Sequence, residues 1–177
     1  MGFLLLSGGA MALPAYAQAP KVPEPSYAVT LTAYNAVAAQ TDSNPFETAS
    51  GAFSNPEVVA ARSQDLGDEL PFGAIIEIDG SNASKESCGY DVVAPVIGYR
   101  VIEDTMNARY TNRVDVLLTT KASYATADKG MKNAAEVLGI CKGVTVHVVG
   151  HIDIQHIPKT QAELARFVNG KGGLALK

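Results

Sequence analysis

Residues 101–118 read VIEDTMNARYTNRVDVLL: two apolar runs, each with one aspartate at its edge, joined by the polar stretch MNARYTN. Runs this rich in Val, Ile and Leu form strands, and if 106–112 forms a wide turn the two strands come back together. Asp104 and Asp115, eleven residues apart, are the exceptions within them. Carboxylates rarely sit in apolar strands without a partner or a purpose. If both face one cleft, their ionisations split. One ionises, and the other is held protonated by its neighbour's charge and by desolvation. A protonated carboxylic acid beside a sugar linkage can donate its proton to the glycosidic oxygen. The plainer alternative is that Asp104 caps the turn through backbone N–H bonds while Asp115 pairs with Arg109 or Arg113.

On the N-terminal side, 27–34 is rich in β-branched and aromatic residues and predicts a strand. Further short strands are expected at 57–61, 73–78 and 97–103, the second announced by the turn Pro71-Phe72-Gly73. Residues 40–56 and 80–89 are dense in Ser, Asn and Gly and read as loops. On the C-terminal side, Met131, Ala134, Ala135 and Leu138 predict a helix over 128–138, with Asp128 as cap and Gly139 as stop. Val144, Val146 and Val148 alternate as a last strand. Thr160-Gln161-Ala162-Glu163 is a capping box that opens a short helix through Leu164, Phe167 and Val168, ended by Gly170, Gly172 and Gly173. Six or so short strands with one helix before the last describe a mainly β chain closed into a small barrel, not an alternating β/α sheet. That barrel is expected over 27–150. Residues 151–177 follow as a C-terminal tail, which either packs on the barrel through Leu164 and Phe167 or docks a partner.

The whole chain has 177 residues, 14 basic and 18 acidic side chains and a net charge of −4, which suits one domain. An apolar fraction of 47% fills a core and excludes wholesale disorder. The mild acidity argues against a nucleic-acid partner. With no Trp and 7% aromatics, a broad stacking platform is not expected. Residues 3–13 form an apolar run too short to span a bilayer as a helix. Pro14 and the small-x-small Ala15-Tyr16-Ala17 follow, so 1–17 reads as a signal peptide, although no Lys or Arg precedes the run. Residues 18–26 (QAPKVPEPS) are an extended linker. The expected protein is secreted, periplasmic or otherwise in the cell envelope, with no membrane span after signal cleavage. An oxidising compartment permits a disulfide between Cys88 and Cys141. Two buried free thiols are the alternative, and spacing does not choose between them.

EDTMNARYTNRVDVLL resembles the signature of the three-aspartate (3D) domain family. That family's double-psi β-barrel is related to those of membrane-bound lytic transglycosylase A and the rare lipoprotein A-like proteins. The family pattern is an acid-Asp-Thr-Gly stretch followed by Asn-Arg-(Ile/Val)-Asp. Asp104-Thr105 and Asn112-Arg113-Val114-Asp115 match it at the family's spacing. Thr32-Ala33-Tyr34 resembles the family's opening TAY, and Thr48-Ala49-Ser50-Gly51 its TA(T/S)G. Val59-Ala60 with Pro71-Phe72-Gly73 resembles its VA…P(L/F)G. The likeness covers about residues 28–150 and departs in two places. Where the family's first aspartate follows VA, this chain has Ala61-Arg62-Ser63, with Asp65 and Asp68 nearby in a longer segment. Met106-Asn107 replaces two glycines, as in a subgroup of short bacterial members.

The resemblance implies a six-stranded double-psi barrel acting on peptidoglycan glycan strands as a lytic transglycosylase. Such an enzyme cleaves the MurNAc–GlcNAc β-1,4 bond and closes a 1,6-anhydro ring without a water nucleophile, metal or other cofactor. Asp104 and Asp115 would be catalytic, Asp104 as proton donor and Asp115 as its electrostatic partner. Tyr34, Thr48, Ser50, Gly51, Thr105, Asn107 and Arg113 would bind the glycan. The alternative is a non-catalytic glycan-binding or interaction module on the same barrel, as in expansin-like proteins. His147, His151 and His156 with Asp153 show no ligand spacing of known specificity. Asp104-Thr105 lacks the following glycine and the second copy that an aspartic protease needs, and no serine lies in a nucleophile-elbow context.

Overall fold

The computed structural model describes residues 24–41, 44–127 and 130–171. The expected signal peptide, most of the linker, the Asp128 cap and Gly172 and Gly173 lie outside these residues. Six strands close into a barrel: β1 (Ser26–Tyr34), β2 (Val59–Arg62), β3 (Ala74–Asp79), β4 (Arg100–Thr105), β5 (Arg113–Leu117) and β8 (Cys141–His151). The strands β6 (Ser123–Ala125) and β7 (Met131–Asn133) form a separate ribbon, and the helices are α1 (Tyr90–Ile97), α2 (Ala134–Leu138) and α3 (Gln161–Lys171). No helix among the described residues is long and apolar enough to cross a membrane.

The order around the barrel is β1-β5-β2-β4-β3-β8. β1 runs parallel to β5 and β2 parallel to β4, while the other contacts are antiparallel. Exchanging β1, β2 and β3 with β4, β5 and β8 returns the same order and swaps the two parallel pairs. This internal two-fold relation defines a double-psi barrel. Closure leaves no unpaired edge among these six strands.

Alternation along each strand separates two apolar layers. Val29, Leu31, Ala60, Ile76, Ile102, Val114, Val116, Val144 and Val146 form one buried cluster, which fills the barrel. Tyr34, Val59, Ala61, Val101 and Leu117 belong to a second cluster on the outer face, covered at one end by Ile152 and by Leu164 of α3. The tail thus packs on the barrel. Leu164 is fully buried and Phe167 and Val168 pack beside it. At Gly73 the backbone adopts φ +85°, and a Cβ there would meet the Ile152 carbonyl oxygen at 2.2 Å. Only glycine lets the turn before β3 and the start of the tail approach this closely.

Beyond the added strand β6 and Gly170, which lies within α3 instead of ending it, two helices differ from the sequence expectation. The helix expected over 128–138 is confined to 134–138, and residues 131–133 pair with β6 instead. Its cap is Asn133, which accepts the Ala135 amide and forms a capping box with Glu136. Helix α1 is an addition. Its valines and its internal Pro95 disfavour a helix locally, but Val93 and Ile97, one turn apart, bury together into the core. The strand expected from 97 therefore begins at Arg100. That side chain is buried and donates to the carbonyls of Val96, Ile97, Pro56 and Leu117.

Cys88 and Cys141 form a disulfide across 53 residues of sequence. It ties the loop before α1 to the first residue of β8, and its loop-closure entropy contributes about 3–4 kcal/mol.

Candidate functional site

On the outer face, Ala61 of β2 stands opposite Asp104 of β4 on one side and Asp115 of β5 on the other. Asp115 in turn stands opposite Thr32 of β1. A single row therefore crosses four strands. The two aspartates are two strand spacings apart, roughly 9–10 Å between their Cα atoms. Their common orientation depends on an irregularity. Ala60 pairs with Ile102 but Ala61 pairs with Asp104, so Glu103 is an extra residue in a β-bulge. Without it, Glu103 would occupy the place opposite Ala61.

Above this row lies an open furrow of about 900 Å³ whose floor includes Tyr34, Ala61, Asp104 and Asp115. Its walls come from the loop 44–54, through Glu47, Thr48 and Ala49, and from the turn after β4, through Asn107, Arg109 and Tyr110. The volume suits a ligand of a few rings. A second depression of about 500 Å³, between β3, α1 and α3, has Glu77 as its one carboxylate and holds no acid pair.

The two aspartates have different surroundings. Burial is the main reason that the Asp115 carboxyl is pushed up to about 6. The hydrogen bond from Thr32 Oγ1 to its Oδ1 at 2.8 Å and the charge of Arg113 act in the opposite direction, and the Asp104 charge contributes least. Asp104 accepts three hydrogen bonds: from the Ala49 amide at 2.9 Å, the Thr105 amide at 2.8 Å and the Tyr34 hydroxyl at 3.1 Å. Its oxygens are engaged as acceptors. Burial and then Asp104 push the Tyr34 phenol far up, so it remains a protonated donor. The plainer alternative holds in part: Asp104 accepts two backbone amides, from Ala49 and Thr105 and not from 106–112, while Asp115 bonds Thr32 and feels the Arg113 charge without a hydrogen bond from it.

The structure brings together only part of the expected binding set. Tyr34, Thr48, Thr105 and Asn107 line the furrow with the two aspartates. Ser50, Gly51 and Arg113 do not. Ser50 Oγ donates to Glu103 Oε2 at 2.7 Å and shares a 3.0 Å hydrogen bond with Thr48. Gly51 is exposed at a turn with φ +85°. The Arg113 guanidinium lies 4.9 Å from the Tyr110 ring centre. Asp65 is exposed and accepts the Asn112 amide at 2.9 Å. Neither it nor Asp68 lines the furrow, so neither joins Asp104 and Asp115 there.

Glu103 was not singled out by sequence reasoning. It is fully buried, its Oε1 has no partner, and burial pushes it up to about 7. Together with Asp104 it anchors the 48–52 loop, since its backbone oxygen accepts the Ser50 amide at 3.0 Å and its side chain accepts the Ser50 hydroxyl. The sequence signal was the doublet Glu103-Asp104 itself. Two adjacent acids in a regular strand face opposite ways, and only a bulge gives both a part in one wall.

Among the described residues no three His, Cys, Asp or Glu side chains gather as a metal site. His156 pairs with Asp153 at 3.2 Å. The chain matches no protein-family model and no curated protein.

Proposed function

We propose that this chain is a cell-envelope enzyme of the three-aspartate type that cleaves peptidoglycan glycan strands as a lytic transglycosylase, with Asp115 as the general acid/base. The observation that carries this reading is an aspartate on the floor of an open, sugar-sized furrow, with a second aspartate held as an acceptor in the same row; burial pushes the first one up to about 6. The two roles exchange relative to the sequence expectation. The Asp115 carboxylic acid gives its proton to the oxygen between MurNAc C1 and GlcNAc C4, and the C1–O bond breaks. The resulting carboxylate then takes the proton of the muramyl 6-hydroxyl as O6 bonds to C1, which closes the anhydro ring and restores the acid. Asp104, bridged to Tyr34, presents negative charge beside the developing oxocarbenium ion.

One observation favours a second reading, a glycan-binding module without turnover: where the resemblance expects its first aspartate the chain has Ala61-Arg62-Ser63, and neither Asp65 nor Asp68 lines the furrow. The two are separated by incubating the purified protein with peptidoglycan and analysing soluble products by mass spectrometry. The enzymatic reading expects 1,6-anhydromuropeptides that disappear with Asp115→Asn. Retention on the polymer without any released product contradicts it and leaves the binding module.

A further inference from the structure

Glu103 is a buried acid that the proposed chemistry does not use. Its side chain is fully buried and its Oε1 has no hydrogen-bond partner. Oε2 accepts the Ser50 hydroxyl at 2.7 Å, and the backbone oxygen accepts the Ser50 amide at 3.0 Å. Asp104, the next residue, accepts the Ala49 amide at 2.9 Å. Three hydrogen bonds to two neighbouring acids thus fasten the 48–52 turn to β4. The turn is closed on itself as well, by the Thr48 amide to the Ala52 carbonyl and the Gly51 amide to the Thr48 carbonyl, each at 2.9 Å. Thr48 and Ala49 of this turn are wall of the furrow.

A carboxyl in this place has two states with different consequences. Protonated, it carries no charge to solvate, and Oε2 still accepts from Ser50. Ionised, it is a buried charge with one oxygen that no protein donor reaches, which is costly. Water is the missing donor. Ala49 and Gly51 are exposed, so the turn is the thin side of the enclosure, and lifting it lets water reach Oε1. Burial accordingly raises the carboxyl to about 7, against the opposing Ser50 hydrogen bond. The charged and titratable groups on the surrounding elements are Asp104 on β4, Glu47 in the loop, Arg62 on β2, Glu77 on β3 and His151, paired with Ala74, on β8. Arg62 donates to the carbonyls of Leu70 and Ser63, and among the described residues no ion pair joins Glu103 to a cation.

We propose that Glu103 is a positioning residue that works as a proton-operated latch on the furrow: as the neutral acid it clamps the 48–52 wall onto β4, and on losing its proton to water it loosens that wall. The closed wall binds the proton more tightly than the open one, in which the hydrated carboxyl returns to its ordinary value of 4.5. Closure is therefore complete in acid and weakens as pH rises from about 4.5 through about 7. Asp104 gives up the Ala49 donor in the same movement. The consequence for a glycan rests on the peptidoglycan reading: the strand lies against a firm wall in acid and a loose one at pH 8.

The test is amide hydrogen exchange at Ala49 and Ser50 in the full chain carrying Asp115→Asn, which removes the other raised carboxyl of this region. Corrected for the intrinsic exchange rate, their protection is expected to fall at least about tenfold from pH 5 to pH 8. Adding Glu103→Gln, which keeps an oxygen for Ser50 and cannot ionise, is expected to hold the protection within about twofold over the same range. Protection that does not change with pH overturns the latch. So does a fall that survives Glu103→Gln, because it then belongs to another group such as His151. Carbon-13 NMR of the Glu103 carboxyl needs no substitution at that position: a midpoint near 7 supports the latch, and one near the ordinary 4.5 overturns it. None of these readouts requires a glycan. Failure to release anhydro product from peptidoglycan removes the cleavage reading and leaves the latch, whereas constant protection removes the latch and leaves the cleavage reading.

Discussion

Asp115→Asn is expected to lower glycan cleavage by about 10²–10⁴-fold while making the protein more stable at pH 8. The two effects have one origin. Burial raises the carboxyl to about 6 from the ordinary value of 3.8, so the folded protein holds this proton more tightly than the unfolded chain does. Stability from this group is complete below about pH 4 and is lost as pH rises through about 6, because the unfolded chain releases the proton first. At pH 8 the native state therefore contains an unfavourable buried carboxylate. Asparagine has no charge to desolvate and still offers an oxygen to Thr32, so the variant is expected to gain on the order of 2 kcal/mol there. At pH 4 the gain vanishes. Glu103, raised to about 7, adds a slope of the same sign that the variant keeps. Thermal unfolding at pH 4 and pH 8 checks the stability half. A variant less stable than the parent at pH 8 contradicts the assignment of burial as the cause.

Arg100→Met is expected to destabilise the fold more than any single change at the furrow, by about 4 kcal/mol or more. The side chain is 1% exposed, and burial lowers its guanidinium to about 10. It stays charged at neutral pH because four carbonyl oxygens surround it: two at the end of α1, one before β2 and one at the end of β5. Methionine matches much of the volume but leaves those oxygens without donors, at about 1–3 kcal/mol for each that water does not reach. The helix end, the loop and the strand are otherwise remote in sequence, so the loss spreads through the contact of α1 with the barrel. Urea unfolding at pH 7 measures the change. A loss below about 1 kcal/mol would show that the carbonyls find other partners.

Much of this architecture was legible because its signals are local. The alternating valines of β8, the apolar runs flanking 106–112 and the turn at Pro71-Phe72-Gly73 each specify their element from a few neighbours. The two aspartates were visible for the same reason, as isolated acids in apolar strands. Helix α1 was not, because Pro95 and the valines argue against a helix in isolation and only burial of Val93 and Ile97 decides it. Arg100 gave no warning, since its partners lie up to 44 residues away. The part played by Glu103 and the alignment of Asp104 with Asp115 both depend on a bulge, which the Glu103-Asp104 doublet signals only once the register against β2 is known. The exchange of roles between the aspartates has a similar cause. Asp104 draws its donors from the 44–54 loop and from Tyr34, contacts that spacing does not reveal.

The proton on Asp115 is the centre of this account, and its titration can be observed directly. Carbon-13 NMR of the aspartate carboxyls, with Asp115→Asn used to assign the resonance, follows that side chain through pH in the full chain. The account predicts a midpoint near 6, two pH units above an ordinary aspartate. A midpoint near 4 would mean that water reaches the carboxylate freely, and Asp115 would then hold no proton to give at neutral pH.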